Sequence, residues 1–291
     1  MGRLISWPAR RFHLSERQEH MEQTSSGTSE VAPSELERLN LAKNWLPRYT
    51  GMPLSRFGDY ILLTNFRNYL TAFAEKFECD VFGEDKPMQA ATSDDGLTII
   101  NFGMGSPNAA TIMDLLIARR PEGVLFLGKC GGLKGSSEIG HFILPIAAIR
   151  GEGTSDDYFP PEVPALPSFK LHKFVSEKIV EHGHDYRTGV VYTTNRRVWE
   201  HDQDFLNRLR KMTCIGIDME TATLFIVGHH NEISRGALLL VSDVPIAPDG
   251  VKTEESDTLV TEQWSEIHLQ IGIEAMTEIG VQGDQIKHFR Y

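Results

Sequence analysis

Residues 97–128 read LTIINFGMGSPNAATIMDLLIARRPEGVLFLG, and this stretch decides the fold class. The run LTIINF (97–102) predicts a buried strand, and SPNAATIMDLLIARR (106–120) predicts a helix with Ser106 as its N-cap. GVLFLG (123–128) then predicts a second buried strand. A strand, a helix and a second strand in succession are typical of an α/β domain.

The same alternation continues on both sides of this stretch. Further strands are predicted at 142–149, 187–194 and 237–243. Further helices are predicted at 34–46, 66–78, 168–183 and 257–278, and another helix is predicted to begin near Asp218. Pro145 inside one strand predicts an edge or a bulge. Since we find no internal repeat and no interior linker, we predict one α/β domain whose central, mostly parallel or mixed sheet is flanked by helices. That domain spans 34–291, and residues 1–33 form a mobile, polar tail.

The composition restricts the class of partner and the compartment. The 291 residues carry a net charge of −11, which argues against a nucleic-acid-binding surface. Cys79, Cys130 and Cys214 are far apart and form no metal-binding spacing, so we expect neither a zinc site nor a disulfide framework. No apolar run is long enough to span a bilayer. We therefore expect a reduced, cytoplasmic protein that contacts no membrane.

Two nucleotide-binding motifs match only in part. GVLFLGKC (123–130) fits G-x-x-x-x-G-K, but Cys130 replaces the Ser or Thr of a P-loop, and the intervening residues predict a strand rather than a phosphate-cradling loop. FGMGSPN (102–108) lacks the third glycine of a dinucleotide fingerprint. A simpler feature survives, because Gly103 and Gly105 form a turn before a helix whose free N–H groups suit an anion or a sugar hydroxyl.

Three segments follow predicted strands directly: GMGSPN (103–108), GKCGG (128–132) and the VSD that ends at Asp243. Ligands of open α/β sheets bind at the carboxyl ends of strands. A carboxyl group at the mouth of a buried strand has a raised pKa through desolvation, which suits Asp243 to general-acid chemistry. Without further context, a turn or cap residue is the simpler interpretation of Asp243.

The segment CIGIDMETATLF (214–225) places two acids in an otherwise small and apolar run. A buried carboxylate needs a partner or a hydrogen bond, because its desolvation is costly. Asp218 is suited to capping the following helix, where a negative charge is favourable. Glu220 is left as the acid that requires a functional explanation.

The motifs GMGSPN, LGKCGG, IDMETA and VSD occur in the order typical of the nucleoside phosphorylase and nucleosidase superfamily, which the chain resembles from about Phe57 to Ile279. The family's motif glutamate falls on Glu220, and its Ser-Asp pair falls on Ser242 and Asp243. Within the superfamily, the segments NWLPRYTG, IRGEGTSDDYFPPEVPALP and VYTTNRRVWEHD resemble the AMP nucleosidase family. That resemblance implies a phosphorylase/nucleosidase-like fold and hydrolysis of AMP to adenine and ribose 5-phosphate, without a cofactor or a metal.

The resemblance also implies a set of site residues. Asp243 is the general acid to the purine, and Glu220 accepts the ribose hydroxyls. Met219 and Met104 pack against the sugar, and Tyr192 stacks on the base. The remaining substrate-binding positions are Gly105, Ser106 and Ser242. Family members are usually hexamers, so a homo-oligomer is expected.

The departures from the phosphorylase pattern concern the nucleophile. Phe126 and Lys129 stand where phosphorylases of the superfamily have an Arg and a Ser that hold phosphate, and this difference favours water as the nucleophile. Asp59 is the candidate for activating that water. The alternatives left open are a purine nucleoside phosphorylase or another N-ribosidase, and a non-catalytic nucleotide sensor.

AMP also requires a site for its 5′-phosphate. The candidate cations are Arg56, Lys129, Arg150, Arg196 and Arg197. Arg196 and Arg197 are the best placed, because they follow the strand that carries Tyr192. Arginine suits bidentate recognition of phosphate.

Overall fold

The computed structural model of the protein describes residues 33–247 and 250–282. Most of the predicted tail, residues 1–32, lies outside the described residues. The stretch at 97–128 folds as strand β4 (Leu97–Asn101), helix α3 (Ser106–Leu115) and the start of strand β5 (Gly123–Gly132). The other helices are α1 (Pro33–Thr50), α2 (Arg67–Phe77), α4 (Phe169–Glu181), α5 (Gln203–Lys211), α6 (Thr221–His230) and α7 (Glu254–Gln282). The other strands are β1 (Tyr60–Thr64), β2 (Val81–Phe82), β3 (Gln89–Thr92), β6 (Phe142–Gly151), β7 (Tyr186–Thr194), β8 (Gly216–Asp218) and β9 (Arg235–Asp243).

The predicted strands and helices are all present, with two corrections at helix starts. Gly105, not Ser106, occupies the N-cap position of α3, because the Ser106 hydroxyl donates instead to the Met219 carbonyl at 2.6 Å. The helix expected from near Asp218 begins at Thr221, since Asp218 is the last residue of β8. The register of β6 shifts between Pro145 and Ala147, which confirms the predicted bulge.

The nine strands form one mixed sheet in the order β2-β3-β4-β1-β5-β8-β7-β6-β9. Strands β4, β1, β5 and β9 run parallel to one another, and β6, β7 and β8 form a second parallel group. Because β5 also pairs with β9, the five strands β5, β8, β7, β6 and β9 close into a ring. A register shift after Cys130 allows β5 to leave β9 and pair with β8.

The core lies on both faces of β5, which explains why its sequence is apolar without alternation. Val124 and Phe126 pack toward a cluster that includes residues of α1, α3 and α6. Leu125 and Leu127 pack toward a second cluster with α2, α4 and α7. A smaller third cluster joins α5 to β7 and β8. Among the described helices, none combines the length and the apolar composition needed to cross a membrane.

Candidate active site

The carboxyl ends of the parallel strands β1, β4, β5 and β9 meet at one edge of the sheet. Asn65 follows β1, the Gly103–Gly105 turn follows β4, and Asp243 ends β9. Strand β8 pairs with the last residues of β5, so the segment that follows it reaches the same edge. The motif segments far apart in the chain are thus brought together where α/β sheets bind ligands.

Glu220 is the most enclosed acid at this edge, with 2% of its surface exposed. Its carboxylate accepts hydrogen bonds from the Gly105 N–H at 2.7 Å and from the Met219 N–H at 3.3 Å, and a third from the side chain of Asn65. Burial, followed by the nearby charge of Asp218, raises the pKa of Glu220 to about 8, and the hydrogen bonds oppose that rise. Glu220 is therefore fixed in position and titrates close to neutral pH.

Asp218 is buried beside Glu220 but has a different environment. Its carboxylate accepts hydrogen bonds from the Thr193 hydroxyl at 2.7 Å, the Thr221 N–H at 2.7 Å and the Glu220 N–H at 3.2 Å, and from the Thr221 hydroxyl. Burial raises its pKa, whereas these hydrogen bonds favour its charged form. Because it binds the first N–H groups at the start of α6, Asp218 fixes the helix that carries Glu220 at its N-cap, as the sequence indicated.

Asp243 lies half-buried at the end of β9. The Ser242 hydroxyl donates to its carboxylate at 2.8 Å. Burial raises the pKa of Asp243, in the direction predicted from the sequence, while the hydrogen bond from Ser242 and the charges of Lys252 and Arg197 oppose the rise. A carboxyl group in this environment is suited to carry and donate a proton.

The glycine turn connects β4 to α3 and contacts the Glu220 segment. Gly103 and Gly105 have φ angles of 83° and 94°, a conformation that side-chain-bearing residues seldom adopt. The turn aims the Gly105 N–H at Glu220 and the Ser106 hydroxyl at the Met219 carbonyl. Met104, between the glycines, is 57% exposed and free to contact a ligand.

Tyr192 does not share the position of the carboxylates. Thr193 binds Asp218, and since neighbouring side chains of a strand point to opposite faces, Tyr192 points away from that cluster. Its ring lies over Gly151, where a Cβ atom would come within 2.2 Å of it, and its centroid is 5.7 Å from that of Phe205. This placement does not support the predicted stacking of Tyr192 on the base.

Tyr192 instead forms one wall of a cleft of about 380 Å³ between α5 and the ends of β6 and β7. The cleft is lined by Gly151, Tyr192, Thr194, Asn195, Arg196, Asp202, Asp204, Phe205 and Arg208. Glu220 and Asp243 do not line it. We therefore locate the candidate active site by its carboxylates and glycine turn rather than by this cleft.

Two of the cations predicted to bind phosphate have other partners. The guanidinium of Arg150 donates to the carbonyls of Ser155, Phe159, Pro160 and Val163, so it organises its own loop. Lys129 donates to Asp257 at 2.9 Å and to Thr261 at 2.7 Å. Both assignments need correction, because the guanidinium donors of Arg150 are used inside its own loop and the buried ammonium of Lys129 is already paired with Asp257.

The other three predicted cations lie near the surface. Arg196 pairs with Asp202 at 2.6 Å and Arg197 with Glu200 at 3.3 Å, and Arg56 packs over the ring of Phe82. The charge of Arg197 reaches Asp243, so its segment borders the candidate site. These arginines have acidic or aromatic partners but are not enclosed.

The predicted water-activating role of Asp59 is also contradicted by its position. Asp59 precedes β1, and its carbonyl accepts from the N–H groups of Glu122 and Gly123 at the start of β5. Its carboxylate pairs with Arg119 at 2.8 Å. Asp59 therefore lies at the amino ends of the strands, opposite the candidate site.

Asn65 and Lys252 are residues of the site that sequence patterns missed. Asn65 is a single polar residue after a short strand, and Lys252 lies in a loop with no motif. Only the fold shows that Asn65 meets Glu220, 155 positions later in the chain, and that the charge of Lys252 reaches Asp243. Among the described residues, no group of three or more His, Cys, Asp or Glu side chains is arranged to hold a metal ion.

Comparisons with known proteins address the family of the chain. A family model described as "Phosphorylase superfamily" matches residues 60–277. The AMP nucleosidase of Escherichia coli (strain K12) is 30% identical over 305 residues, which cover 89% of this chain and 62% of that protein. The chain thus spans less than two thirds of that relative.

Solved structures extend the comparison. An AMP nucleosidase from Bacteroides thetaiotaomicron VPI-5482 is 52% identical, has a TM-score of 0.74, and the match covers 84% of this chain and 98% of that chain. A uridine phosphorylase from Vibrio fischeri ES114 is 20% identical and has a TM-score of 0.67, and the match covers 79% of this chain and 95% of that chain. This likeness shows a shared fold.

The fold and the site define an enzyme of the nucleosidase or phosphorylase type. The chain belongs to the phosphorylase superfamily, which confirms the resemblance read from its motifs. Within that superfamily it is similar over most of its length to proteins named AMP nucleosidase.

Proposed function

We propose that the protein hydrolyses the N-glycosidic bond of AMP to give adenine and ribose 5-phosphate. The observation that carries this proposal is Phe126, at the position where phosphorylases of the superfamily have a phosphate-binding arginine. Phe126 is 1% exposed, and its ring centroid lies 5.8 Å from that of Phe102. An apolar ring in the core cannot bind a phosphate nucleophile, so water is the expected nucleophile. The similarity to two AMP nucleosidases supports the same choice.

The proposed chemistry divides between two acids. Burial raises the pKa of Asp243, which favours its protonated form, and in this proposal Asp243 donates its proton to N7 of the purine as the C1′–N9 bond breaks and the electron pair of that bond moves to the base. Glu220, as the carboxylate, accepts hydrogen bonds from the ribose hydroxyls and stabilises the positive charge that develops on the sugar. Water then adds to C1′ and releases a proton.

The residues around these acids supply the substrate contacts. We propose that Met104 and Met219 pack against the ribose and that Gly105, Ser106 and Ser242 hold the two acids in place.

Residues 34–291 form the catalytic domain in this proposal. We propose that the protein assembles into a homo-oligomer, and the family resemblance leads us to expect a hexamer. A solution mass equal to that of a monomer would contradict the assembly.

The direct test of the activity is to incubate the protein with AMP or adenosine, with and without inorganic phosphate, and to follow adenine release by chromatography. We expect adenine and ribose 5-phosphate from AMP without added phosphate. Cleavage of adenosine that requires phosphate, with no cleavage of AMP, would show a purine nucleoside phosphorylase instead. Binding of AMP with no product in any mixture would show a nucleotide sensor.

The variant Asp243→Asn tests the assignment of the acid. Because it removes the proton donor and keeps the shape of the side chain, we expect kcat for AMP to fall by about 10²- to 10⁴-fold while AMP still binds. The matched control is Asp80→Asn, which alters an exposed acid outside the site and should leave kcat unchanged. Normal turnover by Asp243→Asn would show that the acid lies elsewhere.

A further inference from the structure

One carboxylate near the candidate site holds two lysines. Asp257, in the first turn of α7, accepts at the same Oδ1 atom from Lys129 Nζ at 2.9 Å and from Lys252 Nζ at 2.7 Å. Two ammonium groups share one negative charge, so the three side chains carry a net charge of +1. Arg150, Arg196 and Arg197, in contrast, each pair with a separate acid.

Lys129 is the lysine that cannot leave this carboxylate. Its side chain is 4% exposed, its ammonium lies 4.8 Å from the centre of the Phe66 ring, and it also donates to Thr261. Burial lowers the pKa of Lys129, and contact with Asp257 opposes that change. Because an enclosed ammonium needs its counter-charge, Asp257 is required by Lys129.

Lys252 is the lysine whose charge is left incompletely balanced. Its side chain is 18% exposed and belongs to the segment that follows β9, so it can reorient toward a ligand. Its charge lowers the pKa of Asp243, which places it within electrostatic range of the proposed acid. The other charges in that range are Arg197 and Glu200, which pair with each other. Glu254 and Glu255 of α7 are exposed, so solvent screens their charges.

We propose that Lys252 binds the 5′-phosphate of the nucleotide, so that the site selects a nucleoside monophosphate over the free nucleoside. This inference rests on the proposed function. A phosphate monoester carries a charge of about −1.5 to −2 at pH 7, which the net positive charge of the lysine–aspartate cluster partly balances. Lysine serves as a mobile point charge for phosphate, and its flexible stem allows it to turn from Asp257 to the ligand.

The test compares AMP with adenosine, which lacks only the phosphate. Steady-state kcat/KM is measured for both substrates with the wild type, Lys252→Met and Lys252→Arg. We expect Lys252→Met to lower the AMP-to-adenosine ratio of kcat/KM by about 10- to 100-fold, the range expected for a charged hydrogen bond, and Lys252→Arg to recover most of it. The matched control is Lys173→Met, which removes an exposed lysine paired with Glu177 and should leave the ratio unchanged.

Other results would overturn the inference. If Lys252→Met lowers kcat/KM for both substrates equally and shifts its pH profile, Lys252 acts on Asp243 rather than on phosphate. If the ratio stays unchanged and the variant loses only a response of adenosine cleavage to inorganic phosphate, the lysine serves free phosphate. Failure of the proposed function is distinct, because the wild type itself would then release no adenine from AMP.

A second variant separates phosphate binding from packing. Asp257→Asn removes the carboxylate that competes with the ligand for Lys252, so the preference for AMP should be maintained or increased even though the buried Lys129 loses its partner. Thermal unfolding of the same variant reports that loss as a lower midpoint. A preference for AMP that falls as far as in Lys252→Met would overturn the inference, since the intact ion cluster rather than Lys252 would then be required.

Discussion

Glu220 shows how the surroundings of one residue decide when it is charged. Asp218 accepts four hydrogen bonds and is the better stabilised anion of the two. Glu220 is therefore the acid that takes up a proton as the pH falls, and burial beside Asp218 raises its pKa to about 8. Below that pH the free protein holds Glu220 mostly neutral. Ribose hydroxyls donate hydrogen bonds to the charged carboxylate of Glu220 and so favour that form. Substrate binding and deprotonation of Glu220 are therefore coupled.

A pH dependence of substrate affinity follows from this coupling. Because the carboxylate is the form that accepts the ribose hydroxyls, we expect KM for adenosine to fall as the pH rises from about 6.5 to about 8.5, with an apparent pKa near 8. Adenosine is used because a 5′-phosphate titrates in the same region. Glu220→Gln should bind adenosine weakly at every pH. A KM that is constant over this range in the wild type would contradict the raised pKa.

The residues that could be predicted from the sequence were those with a distinctive local context. Two acids in an apolar segment identified Glu220 as buried and Asp218 as a helix cap, because buried charge demands a partner. The partners themselves could not be predicted. Asn65 and Lys252 have ordinary neighbours in the chain, and their contacts with distant residues exist only in the folded protein. For the same reason, the sequence does not show that Lys129 and Arg150 have partners inside the chain.

At the scale of elements, Arg150 fixes the Pro-rich loop that follows β6. Its side chain is 6% exposed and donates to four loop carbonyls, to the Ser155 hydroxyl and to Asp156. The buried Glu152 ties the same loop to α6 by accepting from the Thr223 hydroxyl at 2.6 Å. The loop is thus held on the helix whose N-cap is Glu220.

Replacing Arg150 should loosen this loop without changing phosphate recognition. We expect Arg150→Ala to lower the free energy of unfolding by about 2–3 kcal/mol, because several charged hydrogen bonds to loop carbonyls are lost, and to accelerate proteolysis within 152–167. Urea unfolding and limited proteolysis measure these effects. Arg210→Ala, which changes an exposed arginine bonded to Asn207, is the control. A large loss of AMP preference over adenosine in Arg150→Ala would restore its role as a phosphate ligand.

At the scale of the whole molecule, His268 joins three elements of the core. It is fully buried on α7, its Nδ1 lies 2.8 Å from the Tyr69 hydroxyl of α2, and its Nε2 lies 2.9 Å from the Leu238 carbonyl of β9. Burial lowers the pKa of His268 to about 4, so it stays neutral in the folded protein at physiological pH. In this state Nε2–H donates to Leu238 and Nδ1 accepts from Tyr69.

The neutral His268 predicts a loss of stability in mild acid. Its folded-state pKa lies below its unfolded value of 6.5, so the unfolded chain takes up the proton first, and stability falls as the pH drops from 6.5 toward 4. The contribution of this histidine amounts to about 3 kcal/mol across that window. Urea unfolding of the wild type and His268→Gln at pH 7 and pH 5 tests this. The pH dependence should be smaller in the variant, and equal slopes would contradict a buried neutral His268.

Most of the architecture could be predicted from the sequence, because a long apolar segment indicates a strand that is buried on both faces of the sheet. The segments GVLFLG and ALLLVSD predicted β5 and β9 within a few residues. Strands β1, β2, β3 and β8 and helix α5 were not predicted, since several of these elements are too short for periodicity to identify. The pairing of β5 with β9 was beyond prediction, because ring closure depends on contacts between strands about a hundred residues apart.

That ring closure has a consequence for how copies of the chain can meet. In the described part of the sheet, β9 pairs on both sides, and β2, with only two residues, is the remaining terminal strand. A terminal strand this short offers few unpaired backbone groups as a template for another chain. Any contact between copies of the chain is therefore expected to form through side chains of helices and loops rather than by extension of the sheet. The same feature should protect the protein from edge-to-edge aggregation at high concentration.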